Sequence, residues 1–156
     1  MANFNLPLRY KAEFLRGWPM DGGLEIDHPI KAGEELELGD LVKLVLDAGA
    51  YRAAKTVVGD AASTSEIGAN AGIVVRGNAD EKSARDIGKA VILWGHYIVR
   101  TTHFDSGIVA AGVNVVAGAD GKFVAAASAD VPCLGHVIEY RAASGSRPAE
   151  IIVVVK

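Results

Sequence analysis

The chain has 156 residues, a formal net charge of −3 and one cysteine. That length suits one domain with at most an appendage. The weak negative charge, free of like-charge blocks, gives no nucleic-acid footprint, and a lone thiol excludes an intramolecular disulfide. Half of the residues are hydrophobic, ample for a core, yet no run approaches the ~18 continuous apolar residues of a membrane-spanning helix, and the N-terminus lacks the apolar stretch of a signal peptide, so export by that route is not expected.

Residues 1–28 read as an extended N-terminal arm and residues 29–156 as a β-rich body. Four of the ten aromatic residues (Phe4, Tyr10, Phe14, Trp18) fall in the first 18 positions. Asn5-Leu6-Pro7-Leu8-Arg9-Tyr10 alternates polar and apolar residues, and Pro7 restricts it to an edge strand or extended segment. Tyr10, Phe14 and Trp18 then recur at i, i+4 and i+8, the spacing of one face of a short helix. Gly17, Pro19, Gly22 and Gly23 would end that helix within about two turns, too short to stand alone. Four buried aromatics contribute ~2–3 kcal/mol each, whereas fixing the backbone costs ~1–2 kcal/mol per residue. The aromatics alone therefore do not order the arm, which needs strand addition or extensive packing on its own body or on another protein. Phe4, Leu6, Leu8, Tyr10, Phe14 and Trp18 are accordingly the candidate anchors.

From Ile30 the pattern turns to β. Ala32-Gly33-Glu34 and Leu38-Gly39-Asp40 are turns, 41–46 is a strand, and Asp47-Ala48-Gly49-Ala50 is a hairpin turn into a strand at 51–54. Residues 59–70 predict a loop with at most one helical turn, 71–76 a strand, and 77–88 a solvated loop long enough to be a functional surface. Ala90-Val91-Ile92-Leu93-Trp94 is apolar on both faces, and Gly95 admits a bulge before Tyr97-Ile98-Val99-Arg100-Thr101. Strands at 113–117 and 122–126 flank Asp120-Gly121, which suits a two-residue primed turn. A strand at 135–140, a loop at 142–148 and a strand at 150–155 complete the chain. The closing Ile-Ile-Val-Val-Val run predicts a central or doubly buried strand. Turn signals every 8–12 residues predict an all-β fold, a small barrel or a sandwich-like domain.

The chemistry is sparse. His28, His96, His103 and His136 show no metal-ligand spacing, so neither a metal nor a cofactor is expected. Ser106 and Ser144 lack the nucleophile-elbow context. Gly118-Ala119-Asp120-Gly121-Lys122 lies in a hairpin rather than between a strand and a helix, where a phosphate loop would sit. Cys133, in Val131-Pro132-Cys133-Leu134-Gly135, reads as a small buried hydrophobe. Glu34, Glu35 and Glu37 read as a solvated edge. No residue is assigned a catalytic role, and an enzyme is not expected.

Taken in order, Pro29-Ile30-Lys31-Ala32-Gly33-Glu34, Gly39-Asp40-Leu41-Val42-Lys43-Leu44, Gly72-Ile73-Val74-Val75, Ala90-Val91-Ile92-Leu93-Trp94-Gly95, Ala111-Gly112-Val113, Asp120-Gly121-Lys122-Phe123 and Leu134-Gly135-His136-Val137-Ile138 resemble the head decoration, or capsid cement, proteins of tailed bacteriophages. The resemblance spans about residues 29–156. It implies a β-domain, commonly homotrimeric, made in the host cytoplasm and placed on the outer surface of the expanded capsid. There it would bridge neighbouring major capsid protein subunits, with no nucleic-acid or membrane partner and no catalytic residues. An N-terminal arm contacting the shell or an adjacent subunit belongs to the same expectation. The alternatives are a β-barrel adhesion or ligand-binding module using loop 77–88 and, third, a trimeric dUTPase-like hydrolase. Against the last, the chain lacks an Arg-Ser-Gly phosphate motif and ends in an apolar strand.

Overall fold

The computed structural model describes residues 8, 10–16, 24–62, 67–80, 88–129 and 132–156. Within them run β1 (Ala12–Arg16), β2 (Leu24–Pro29), β3 (Leu41–Asp47), β4 (Ala50–Lys55), β5 (Gly72–Arg76), β6 (Lys89–Trp94), β7 (Tyr97–Thr101), β8 (Asn114–Ala117), β9 (Phe123–Ala125), β10 (Gly135–Arg141) and β11 (Glu150–Val155). The helical content of the described residues is two short 3₁₀ turns, Val58–Ala61 and Ala119–Gly121. The fold is all-β, as the turn spacing predicts.

A six-stranded antiparallel sheet has the order β1-β7-β11-β10-β8-β9, and a five-stranded antiparallel sheet has the order β2-β6-β5-β3-β4. The second sheet is curled. Ile30, one residue past β2, forms a parallel bridge with Ala53 of β4, and the Lys31 N–H donates to the Ala53 carbonyl at 2.9 Å. Elements from opposite edges of the sheet thus meet, giving a half-barrel.

Strand alternation divides the apolar residues between two compartments. Leu41, Ile73 and Leu93 point into the core shared with the six-stranded sheet, against Val99, Phe123, Ile151 and Val153. Their neighbours Val42, Val74 and Ile92 point into the concave interior of the half-barrel with Leu36, Ala53 and Ala90. The five-stranded sheet is therefore covered on both faces, which is why β6 reads as a continuous apolar run. The last strand, β11, lies between β7 and β10, the central position that its five consecutive β-branched residues predict.

Several local expectations are corrected. The segment 12–16 is a strand and not part of a helix: Ala12, Glu13 and Phe14 pair with Thr101, Arg100 and Val99. Two turns of helix are marginal in isolation, and the β7 edge satisfies the same backbone groups. Both β1 and β2, read as arm, are hydrogen-bonded into the sheets of the body. At Gly95 (φ 92) the chain does not bulge within one strand but passes from one sheet to the other. The hairpin turn expected at 47–50 is present, with left-handed backbone at both Ala48 (φ 49) and Gly49 (φ 80), as a primed turn requires. At Asp120-Gly121 the loop is longer than two residues, because Ala117 pairs with Phe123 and the Gly118 N–H donates to the Lys122 carbonyl at 2.9 Å. Cys133 is exposed; its neighbour Leu134 takes the inward position, with its N–H on the Val115 carbonyl.

Candidate functional site

Of the candidate anchors, Phe4, Leu6 and Trp18 lie outside the described residues. Leu8 is half-buried and Tyr10 is exposed. Phe14 faces inward: its ring meets Tyr97 edge-on, with centroids 5.9 Å apart and planes at 73°, and it packs against the shared core. Phe14 thus serves β1 docking, since alternate residues of a paired strand must face the core. Tyr97 is almost fully buried, and its hydroxyl has no hydrogen-bond partner among the described residues. Burial pushes that phenol far above its ordinary range.

The open end of the half-barrel carries exposed apolar side chains. Leu46 and Tyr51 are cross-strand partners in β3 and β4, 70% and 65% exposed. They continue the concave-face positions of Val42 and Ala53. Nearby, Lys43, Leu44, Ile67, Asn70 and Trp94 line a cleft of about 290 Å³. Trp94 Nε1–H donates to His28 Nε2 at 3.1 Å, so that nitrogen is unprotonated and the ring acts as an acceptor. Burial pushes the His28 pKa down, partly offset by the Asp27 carboxylate. A second, polar recess of about 510 Å³ is lined by Gly33, Glu34, Glu35, Asn78 and Ala79. Asn78 holds it, accepting from the Leu36 N–H at 2.7 Å and donating to the Glu34 carbonyl at 2.9 Å. Of the three glutamates expected at a solvated edge, Glu35 is exposed, Glu34 accepts from the Lys55 N–H at 3.3 Å, and Glu37 pairs with Lys11 at 2.7 Å.

Two charged clusters were missed in the sequence. The first is centred on Asp40, whose side chain is fully buried at the entry to β3. It accepts from Lys11 Nζ and, at 2.9 Å, from the Glu37 N–H. Lys55 Nζ stands 3.8 Å away and His103 Nε2 3.3 Å away. His103 Nε2 also lies 2.8 Å from the Asp120 carbonyl; both neighbours are acceptors, so this nitrogen carries a hydrogen. Burial alone would raise the Asp40 pKa, but His103, Lys11 and the Glu37 N–H outweigh it and hold the carboxyl below its ordinary value. Nearby Asp80 moves the other way. Burial, with the Glu37 and Asp40 charges, raises it against donors from Gly77 (2.8 Å) and Leu38 (2.7 Å).

The second cluster lies on the outer face of the six-stranded sheet. Glu150, 2% exposed, receives the Arg100 guanidinium in a two-pronged contact (3.1 and 2.8 Å). It also accepts from Arg141 and Arg147, each at 3.2 Å. The one signal available in the sequence was a charged residue at each of two positions in otherwise apolar strands, Arg100 and Glu150.

Among the described residues, no three His, Cys, Asp or Glu side chains converge as metal ligands, and no helix is long and apolar enough to cross a membrane. No protein-family model matches the chain, and no curated protein matches it.

Proposed function

We propose that this protein decorates the outer surface of a tailed-phage capsid and stabilises it by bridging neighbouring major capsid protein subunits, as a homotrimer carried on the virion. The observation behind this reading is the placement of the motifs that resemble the cement proteins. Residues 29–34, 39–44, 72–75, 90–95, 111–113, 120–123 and 134–138 lie along the strands and turns of one two-sheet body, so their order in sequence corresponds to a coherent unit of the fold. Cement requires shape, stiffness and several contact surfaces, each of which can be weak. In a trimer, dissociation requires several releases at once. Leu8 and Tyr10, with Phe4, Leu6 and Trp18, remain the proposed shell anchors. Phe14 is not among them, because its ring is committed to Tyr97.

The test is to incubate purified protein with expanded and unexpanded shells and count bound copies. Saturable binding to expanded shells alone is expected, and equal or absent binding to both would sink the reading. The truncation that probes the arm must stop before Lys11, since Ala12 is in the core. Deleting residues 2–7 is expected to leave a folded body with weakened shell binding. The competing ligand-module reading places its contact surface on loop 77–88, of which residues 81–87 lie outside the described residues; it predicts capture of a glycan or receptor and indifference to shells.

A further inference from the structure

We propose that Lys11 and Asp40 become joined by an intramolecular isopeptide bond, with Glu37 carrying the proton. This inference does not rest on the capsid reading. Lys11 Nζ contacts the Asp40 carboxylate directly and Glu37 Oε1 at 2.7 Å, so nucleophile, acyl group and proton acceptor already touch. The Asp40 side chain is fully buried and that of Lys11 only 17% exposed, while Glu37 stands half in solvent. Glu37 can therefore pass protons outward, while burial of the Asp40 carboxyl shields its carbon from water and so protects the finished amide from hydrolysis.

The surrounding backbone fixes both partners. The Lys11 carbonyl accepts from the Thr102 N–H at 2.9 Å and from the Thr101 hydroxyl at 2.7 Å. The Asp40 carbonyl accepts from the Val74 N–H at 2.9 Å. Gly39 (φ 95) lets the lysine stem pass. A Cβ there would lie 2.7 Å from the Ala12 Cβ and 3.4 Å from the Lys11 Cγ. Such fixed placement of two reacting groups supplies the large effective molarity that a slow condensation needs.

The step balances without an oxidant or co-reactant. A proton moves from the Lys11 ammonium to the Asp40 carboxylate, converting the ion pair to amine and acid. The Nζ lone pair attacks Asp40 Cγ and forms the C–N bond. Glu37 takes the second proton from nitrogen and delivers it to the departing hydroxyl. The C–OH bond breaks, one water leaves, and Glu37 returns to carboxylate. The cations around Asp40 keep the amine–acid form a minor population, which slows the reaction. Each chain needs to react only once, and burial of the Asp40 carbonyl slows reversal.

The experiment is intact-mass measurement on the purified full chain, followed by proteolysis and peptide mapping. Wild type is expected to fall one water short of its sequence mass, with a single branched peptide joining the segments that contain residues 11 and 40. Lys11→Arg should restore the full mass, and Glu37→Gln should slow the loss at least tenfold. A wild-type chain at full mass after prolonged incubation would overturn the proposal. So would a water deficit that persists in Lys11→Arg without a branched peptide, the signature of ring closure at Asp120-Gly121 instead. Glu37→Gln reacting at the wild-type rate would remove Glu37 from the mechanism.

Discussion

The phenol of Tyr97 sits deep in the core with no partner for its hydroxyl among the described residues. A buried polar group left unpaired costs free energy that its removal returns. Tyr97→Phe is therefore expected to keep the edge-on contact with Phe14 and leave stability unchanged or raised by about 1 kcal/mol, read as the urea midpoint. Asp40 makes the opposite kind of contribution. Its pKa is held below the ordinary value of 3.8, so its ionised form stabilises the fold above the unfolded-chain value. That contribution is lost as pH falls through the depressed folded value. The clean background is Lys11→Arg, which keeps the cation but forms no amide. Its stability should fall on acidification below about pH 4, while Lys11→Arg with Asp40→Asn should show a flatter acid limb. Asp80, raised in the fold, works in the opposite sense: its protonation on acidification favours the native state, offsetting part of the loss in both variants.

Between elements, contacts rather than composition decide the outcome. A Cβ on Gly135 would lie 2.1 Å from the Val154 carbonyl oxygen, so Gly135→Ala must push β10 off β11. We expect a loss of about 2–4 kcal/mol, measured by chemical denaturation. In the outer cluster, Glu150→Gln removes the charge that pairs with a buried guanidinium and is expected to cost about 3–5 kcal/mol. Arg100→Met leaves Glu150 still holding Arg141 and Arg147, so its cost should be smaller; equal losses would overturn this ranking. Elements of this kind were legible where local signals agree. The Ala48-Gly49 turn, the both-face apolar β6 and the central β11 all follow from patterns within a few residues. The 12–16 segment was misread because a 3.6-residue spacing of aromatics competed with an unseen partner, the β7 edge far along the chain. Asp40 was read as a turn residue, since nothing near it in sequence shows that Lys11, Lys55 and His103 converge there. Leu8 and Tyr10 were legible as anchor candidates from alternation and aromatic spacing, which carry no information on what they touch.

For the whole molecule, the exposed rim and the order of assembly matter most. Leu46 and Tyr51 are exposed, so Leu46→Asp and Tyr51→Ser should change stability by no more than about 0.5 kcal/mol. If the open end of the half-barrel joins the proposed shell contact, both should weaken shell binding, measured as bound copies at fixed protein concentration. The strand order has a further consequence for how the protein is made. The strands of the half-barrel are all encoded before residue 95, whereas β1 pairs with β7, and β7 in turn pairs with β11 at the end of the chain. A chain emerging from the ribosome can therefore complete its curled sheet first, while β1 waits for β7 beyond it. Until β7 has been made, β1 lacks its pairing partner in a crowded polysome, and neighbouring nascent chains compete for it. The interval between the making of β1 and of β7 is accordingly the one in which strand exchange between copies would begin.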